Sequence, residues 1–500
     1  MLPHSFVVNA PIQRERGAKM LLRCARRAVG PHPRRLLVAA RSRRVTTAQT
    51  KKTILASASS ASAHADDAAP QLSAQTRADA AQSSNDTKDD DKDGSSLAAA
   101  WAALPQEHRA GLGVVTAATA ALNFSFGAIV PVLPQYALGL GLGSSGVGLV
   151  LAAPAFARVC LNSPFGRLAD SRGRRPLMIF GEAAAACGVA LTGMAPTATT
   201  MVAARLLVGA GGSAANAGST AYVGDVTGLP KVQRHRGLIL GVQSAATAGA
   251  WVLGPACGGV LAGLWGAPGS FAAMGGLAMA CAGGYYALVP ETLSLATKAD
   301  EPSSSSSSLL HEPAQRTCLA LNAVLHANYA AILAIMPLRC ADVWVTAGPL
   351  EIGALFSAVS AVGVFGGPLA GKMSDRHGRA PVVCAGLGLA ALGGGGLALA
   401  DAVEPFTAAF FAWGFGVSVA GPALTALTND VAPPSRRGES LALSRTAADG
   451  ALCVAPVALG LLADLAGSTA APFAVCSLAT AGAVGFLGTR ASDLPSNVKS

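Results

Sequence analysis

Long apolar segments alternate with short polar ones from about residue 110 to residue 490. Each apolar segment holds about 20 residues, which is enough for a helix to cross about 30 Å of hydrocarbon. The segments are continuous and lack the two-residue alternation of a membrane-spanning strand. We therefore predict an all-α integral membrane protein with about twelve transmembrane helices. The predicted spans are 110–133, 145–165, 176–195, 199–222, 237–263, 270–289, 317–337, 348–370, 381–400, 406–428, 439–465 and 470–488.

The first six spans are repeated by the last six. The polar segment GRLADSRGRRP (166–176) returns as GKMSDRHGRAP (371–381), 205 residues later. Two parallel six-helix repeats, 109–293 and 317–490, predict a pseudo-twofold axis along the membrane normal and a cavity between the halves. A flexible, serine-rich central loop, 294–316, joins them. Lysine and arginine gather in the loops after even-numbered spans, so these loops and both termini are expected on one side of the membrane.

The N-terminal region differs from the rest of the chain in charge. Charged residues make up 13% of the chain, yet residues 1–65 hold thirteen arginines and lysines and one acid, Glu15. A segment rich in arginine, serine and alanine and poor in acids is typical of an organelle transit peptide, with a disordered basic tail as the alternative. We therefore predict the chloroplast envelope, with the mitochondrial inner membrane or the plasma membrane as alternatives. Residues 66–108 are predicted to be a disordered polar linker, and residues 491–500 a short tail.

Composition narrows the possible functions. The net charge of +10 comes from the N-terminal region and does not indicate a nucleic-acid partner. The ten cysteines show no metal-ligand spacing and lie mostly in apolar segments, so we expect no disulfide framework, metal or cofactor. The sequence offers no nucleophile or metal constellation, so the chain is not predicted to be an enzyme.

The two repeated charged segments are candidates for a gate. Gly166 and Gly371 are expected to allow the chain a tight exit from the membrane. Asp170 and Asp375 can accept hydrogen bonds from loop amides near a helix N-terminus, while the arginines pair with acids or lipid phosphates. A topology signal is the alternative for the arginines, but it requires no acid. The predicted gate residues are Gly166, Asp170, Gly173, Arg174, Arg175, Gly371, Asp375, Arg376, Gly378 and Arg379.

Polar residues inside the spans are candidates for coupling and binding, because a central charge costs about 2.5–3.5 kcal/mol on insertion scales. Arg445 and Asp449 lie one turn apart on the eleventh predicted helix, and a proton on Asp449 would leave Arg445 unpaired. A fixed structural pair is the alternative, as are ordinary packing and hydrogen bonding for the uncharged residues. The proton-coupling candidates are Arg205, His326, Arg445 and Asp449, and the substrate-cavity candidates are Asn123, Asn216, Gln243, Asn322 and Tyr329.

Residues 110–490 resemble the major facilitator superfamily, most closely its twelve-helix drug:proton antiporters. GRLADSRGRR is similar to the family's signature G-x-L-A-D-R-x-G-R-K, with Ser171 in place of the first arginine. The second copy, which begins at Gly371, keeps Asp375, Arg376, Gly378 and Arg379 of this signature. RLLVG, from Arg205 to Gly209, is similar to the family's R-x-x-x-G motif in helix 4. The glycine–proline motif of antiporter helix 5 is similar to Gly254, Pro255, Gly258 and Gly259, with Ala250 in place of an upstream glycine.

This resemblance implies a secondary active transporter that moves a small organic molecule across a lipid bilayer by alternating access. It further implies proton-coupled antiport, with export as the direction, by a protein that works as a monomer. An organelle-envelope metabolite carrier, acting by symport or uniport, is the alternative. A non-transporting membrane receptor is less favoured, because the sequence shows only a short N-terminal extension.

Overall fold

A computed structural model describes residues 97–293, 309–433 and 436–489, which all fall within one compact unit, 93–500. The predicted transit peptide, most of the predicted linker and the C-terminal tail lie outside the described residues. The long helices are α1 (Gln106–Ile129), α2 (Ser144–Arg172), α3 (Arg174–Gly193), α4 (Ala198–Thr227), α5 and α6 within Arg236–Leu288, α7 (Pro313–Ala334), α8 (Pro349–His377), α9 (Arg379–Leu399), α10 (Val403–Val431), α11 (Arg437–Ala466) and α12 (Ala471–Thr489).

The helix Arg236–Leu288 is two membrane-crossing helices joined by a sharp bend. Gly266, at φ 69°, interrupts it and separates α5 (236–265) from α6 (267–288). Ten helices in the described part of the chain are long and apolar enough to cross a membrane, and this bent helix is one of them. The thirty-residue helix α4 is not among the ten, since Arg205 and the many glycine, serine, threonine and asparagine residues lower its mean hydropathy. With the bent helix counted as two and α4 added, the twelve predicted helices are present, and the all-α prediction is confirmed.

Helical structure extends further than the hydrophobic pattern indicated. A short helix, Leu97–Ala103, and the start of α1 at Gln106 lie within the predicted linker. In the predicted central loop, α7 already begins at Pro313. Other short helices are Leu133–Gly139 and Met336–Val343, with 3-10 turns at Gln233–His235 and Leu309–His311.

The charged segments are largely helical, which corrects the role expected for two glycines. Gly166 and Gly371 lie within α2 and α8, and a Cβ added at either would meet open space. The turns are made instead by Gly173, at φ 105°, and Gly378, at φ 83°. Because side chains rarely adopt such positive φ values, glycine is required at the second pair of positions and not at the first.

The predicted helix 5 motif lies where helices approach closely. A Cβ at Gly254 or Gly258 would overlap the backbone of α1, and one at Gly259 would overlap Pro349 at the start of α8. Close backbone contact through small residues is the usual way in which membrane helices associate. Pro255 takes part as well, because its carbonyl oxygen lies where a Cβ of Gly353 on α8 would stand.

The two halves meet along α2–α11 and α5–α8. At the first seam, Asp464 near the end of α11 accepts hydrogen bonds from the backbone amides of Ser144 and Ser145 at the start of α2, both at 2.9 Å. At the second, the Ser357 hydroxyl accepts a hydrogen bond from the Ala256 amide at 2.9 Å. Since helices alternate in direction, these contacts lie toward the side of the membrane opposite the charged turns.

Candidate functional site

The first charged turn is organised around Arg174, the first residue of α3. Its buried guanidinium lies 3.3 Å from Asp170 Oδ1 and 3.0 Å from Asp225 Oδ2 near the end of α4. It also donates a hydrogen bond to the carbonyl oxygen of Ala169 at 2.8 Å. Arg174 therefore ties the ends of α2 and α4 to the start of α3.

The second half repeats this arrangement at the same 205-residue spacing. Arg379, the first residue of α9, lies 2.9 Å from Asp375 and 3.2 Å from Asp430 near the end of α10. The Arg379 side chain is 27% exposed, whereas that of Arg174 is 5% exposed. The two turns therefore contain equivalent ion pairs, but only the arginine of the first turn is shielded from solvent.

The amides at the start of α3 are capped by a residue that sequence analysis did not single out. Glu291, just after α6, accepts hydrogen bonds from the backbone amides of Arg174 at 2.9 Å and Arg175 at 3.1 Å. The expectation that Asp170 accepts such amides is therefore wrong for this conformation, because Asp170 points to Arg174 and is 73% exposed. The Arg175 guanidinium donates a 2.6 Å hydrogen bond to the Tyr286 carbonyl oxygen and lies over the ring of Tyr286.

A second set of charged residues lies midway along α2 and α11, where the halves meet. The carboxylate of Asp449 accepts hydrogen bonds from Arg158 at 3.3 Å and from the amide of Asn162 at 3.3 Å. Asn162 in turn accepts a 2.6 Å hydrogen bond from Ser213 on α4. The side chains of Arg158 and Asp449 are 24% and 22% exposed. This ion pair joins the two halves and remains partly accessible.

The predicted partner of Asp449 is different from the one found. Arg445 is exposed, and it makes no hydrogen bond or ion pair with the described residues. An arginine that precedes its acid by one turn is poorly oriented for a helical ion pair. Arg158 approaches from the opposite half and takes that position.

Arg205 is buried on α4, and no acid in the described part of the chain forms an ion pair with it. The residue is 1% exposed, and among the described residues its Nε and Nη1 atoms have no hydrogen-bond partner. Its guanidinium lies 6.0 Å from the centre of the Phe126 ring on α1. The Phe126 ring lies next to the Trp251 ring, with ring centres 6.4 Å apart. The indole N–H of Trp251 donates a 3.2 Å hydrogen bond to the side-chain oxygen of Asn123. Arg205 and Asn123 therefore belong to one polar and aromatic cluster.

The other predicted coupling and cavity residues lie on α4, α5 and α7. His326 contacts the Asn322 carbonyl at 2.8 Å, and Asn322 is buried and bonded to its own helix. Tyr329 packs edge-to-face on Trp413, with ring centres 5.6 Å apart. Gln243 on α5 is half-buried. Asn216 on α4 is exposed, so it is not brought to the Arg158–Asp449 pair by a contact in the described residues.

Several functional candidates were missed by sequence analysis, although signals for them were present. Arg158 is an arginine inside a predicted span. Because insertion of a charged residue into the membrane is costly, its position indicates a functional role. Asp225 and Asp430 occupy equivalent places in the repeat, 205 residues apart. Asn162 is likewise a polar residue inside a predicted span. Glu291 lies outside the spans, and its role depends on a contact with a distant segment.

Comparison with known proteins agrees with this architecture. In structure, the chain is similar to a bacterial homologue of the human lysosomal transporter Spinster in an inward-facing conformation, with a TM-score of 0.64 and 14% identity over 78% of this chain and 97% of that one. It is similar in fold to the human organic anion transporter MFSD10 (TETRAN), with a TM-score of 0.55 and 18% identity over 77% of this chain and 100% of that one.

In sequence, the chain is similar to bacterial resistance proteins over part of its length. It is 31% identical to multidrug resistance protein 2 of Bacillus subtilis over 138 residues, 27% of this chain and 33% of that protein. It is 30% identical to the quinolone resistance protein NorA of Staphylococcus aureus over 27% of this chain and 34% of that protein. The matched segment thus spans about a third of each relative. The sequence profile of the Major Facilitator Superfamily matches residues 115–343 and 318–499, so the chain belongs to this superfamily of membrane transporters.

Proposed function

We propose that this protein is a secondary active transporter that moves a small organic solute by alternating access and couples it to protons at Asp449. The observation that carries this proposal is the Arg158–Asp449 pair, which is partly exposed, lies midway along its helices and bridges the halves. Insertion of charged residues at that depth of the membrane is costly, and this cost indicates that the pair has a functional role.

The placement of the contacts between halves supports alternating access. In the described part of the chain, the hydrogen bonds that join the halves lie from the level of Asp449 to the side opposite the charged turns. At the charged turns, Asp170 and Asp375 pair with arginines of their own half. Such an arrangement is closed on one side of the membrane, and the reverse conformation would exchange these contacts for new ones at the charged turns.

Protonation of Asp449 would change the stability of this interface. A neutral Asp449 no longer compensates the charge of the half-buried Arg158, so the ion pair between the halves is weakened. Other charged or titratable groups near the pair are Arg205 on α4, Arg445 and Cys453 on α11, and Cys160 on α2. Proton uptake is therefore expected to loosen the seam between α2 and α11.

The mode of coupling has two candidates. Antiport, with export of the solute, is supported by the likeness to multidrug and quinolone resistance proteins. Co-transport is the mode of the alternative function, an organelle-envelope carrier. The basic composition of residues 1–65 supports that location, and a single chain containing both halves supports a monomer.

The test is solute flux in proteoliposomes with and without an imposed pH gradient. The probes share one ring and differ in charge: 2-naphthoate, 2-naphthamide and 2-naphthylmethylammonium. For Asp449→Asn we expect normal insertion and exchange of the transported probe down its gradient, with the response to the pH gradient lost. Glu404→Gln, which alters an exposed acid at the start of α10, is the matched control and is expected to keep that response.

The sign of the wild-type response distinguishes the two modes. A probe that moves against the proton indicates antiport, and one that moves with it indicates co-transport. A full pH response in Asp449→Asn would remove this residue from the coupling mechanism and leave the Arg158–Asp449 pair a structural contact.

A further inference from the structure

The unpaired guanidinium of Arg205 has no role in the ion pair that joins the halves. It is 1% exposed, and within the described residues its Nε and Nη1 atoms lack partners. A buried cation without a counter-charge is among the most costly features a membrane protein can contain. Contact with the Phe126 ring offsets only part of that cost, about 0.5–2 kcal/mol.

The positive charge near Arg205 is not balanced by nearby acids. Arg158 is close enough to Arg205 for the two guanidiniums to repel one another. In the described helices, the acids away from the helix ends are Asp449 and Glu182. Asp449 is bonded to Arg158, and Glu182 on α3 is buried near Tyr285 of α6. The cluster therefore carries an excess of positive charge.

Aromatic side chains also lie beside Arg205. Phe126 lies against the guanidinium, and Trp251 lies next to Phe126. Both aromatic residues are half-buried, and Asn123 on the same helix as Phe126 accepts a hydrogen bond from Trp251. A planar ring can stack on such side chains while its charged substituent meets the guanidinium.

We propose that Arg205 is the anchor of a binding site for an organic anion, an aromatic carboxylate in particular. This inference rests on the proposed transport function and names its substrate class. A carboxylate can accept two hydrogen bonds from one guanidinium, which would satisfy the Nε and Nη atoms that are unpaired in this structure. Arg158, which is paired with Asp449, becomes a second uncompensated positive charge in the same region when Asp449 is protonated.

An anionic solute also selects between the two modes of coupling. A proton on Asp449 removes the negative charge closest to Arg158, so the region attracts an anion more strongly. Binding of the proton and binding of the anion therefore favour one another, as linkage requires. For this class of solute the transporter is expected to move the anion together with the proton.

The test measures binding of 2-naphthoate, 2-naphthamide and 2-naphthylmethylammonium to the purified full-length protein. We expect wild type to bind the carboxylate more tightly than the other two by about tenfold or more, as a charged bidentate contact implies. Arg205→Gln should abolish this preference. Arg205→Lys should keep part of it, since charge remains but the two-pronged geometry is lost. Lys231→Gln, at an exposed loop position, is the control and should behave as wild type.

Because the preference of the wild-type protein is itself a measurement, the proposal does not depend on a variant that folds. Equal or tighter binding of the amide or the ammonium by wild type would overturn it, as would unchanged affinity for the carboxylate in Arg205→Gln. Proton-driven transport of the ammonium in place of the carboxylate would leave the proposed function standing and remove only the anion site. Selective carboxylate binding without any pH-driven flux would support the anion site and contradict the proposed proton-coupled transport.

Discussion

At the scale of single residues, the two charged turns show how one sequence motif acquires two different environments. Arg174 is enclosed by α2, α4 and the residues after α6, and Thr292 donates a further 2.8 Å hydrogen bond to its partner Asp225. In the second half, Arg379 and its partner Asp430 are 27% and 35% exposed. Ion pairs in water contribute about 1 kcal/mol or less, whereas loss of a buried partner costs several kcal/mol.

Asp225→Asn should therefore destabilise the protein more than Asp430→Asn, its equivalent in the repeat. The first change leaves the buried Arg174 with a weaker partner, at a cost of about 1–3 kcal/mol. The second weakens an accessible pair, at a cost of about 1 kcal/mol or less. Thermal unfolding of the purified variants in detergent measures the difference. Equal melting temperatures would show that burial of Arg174 has no energetic consequence.

Asp170→Asn is expected to affect transport more than stability. Asp170 is 73% exposed in this conformation, so its pair with Arg174 contributes little here. In the reverse conformation, the carboxylate is expected to meet groups of the other half at the closed charged turns. A change of about 1–2 kcal/mol in one conformation shifts the balance about five- to thirtyfold. Abundance in the membrane and initial flux measure the two effects, and an unchanged flux would reduce the motif to a topology signal.

At the scale of helices, close approach of α1 and α5 depends on residues without side chains. A Cβ on Gly258 would overlap the carbonyl oxygen and Cα of Ala128, whereas one on Gly263 in the same helix has nothing within 4 Å. Gly258→Ala should cost about 1–3 kcal/mol through forced separation of the helices. Gly263→Ala should be neutral or stabilise by up to about 1 kcal/mol. Melting temperatures of the two variants test this, and a tolerated Gly258→Ala would show that α1 and α5 separate freely.

The helices were predictable from sequence because the bilayer imposes a length and an apolar composition on every span. Their ends were not, because charged residues such as Asp170 and Arg172 continue α2 beyond the apolar stretch. The same limit explains the site. Arg445 and Asp449 lie on one helix, so the sequence alone suggests that they pair. The contact between Asp449 and Arg158 depends on the packing of α2 against α11. A repeat indicates which residues are equivalent, and only packing decides which of them touch.

At the scale of the whole molecule, the seam between α2 and α11 combines two contacts of different character. Asp464 caps the start of α2 from the other half, and Gly148 and Gly460 allow the two helices to approach within backbone contact at the same end. Farther along the helices, the partly exposed Arg158–Asp449 pair crosses the same seam. A transporter must break both contacts to open this side. Under the proposed function the pair responds to a proton or a solute, while the Asp464 cap contributes to the stability of the closed state.

Asp464→Ala should therefore favour the conformation that is open on this side. Loss of a helix cap costs about 1 kcal/mol, which corresponds to about a fivefold change in the ratio of the two conformations. Spin labels at Met194 and Val345, which are exposed in loops of the two halves on this side, can report the opening in a background without the native cysteines. We expect the longer distances to gain population by that factor. Glu404→Ala removes an exposed acid at the start of α10 and should leave the distances unchanged. If Asp464→Ala also left them unchanged, the Asp464 cap would not contribute to the stability of the closed state, and the remaining contacts between the halves would hold this side closed.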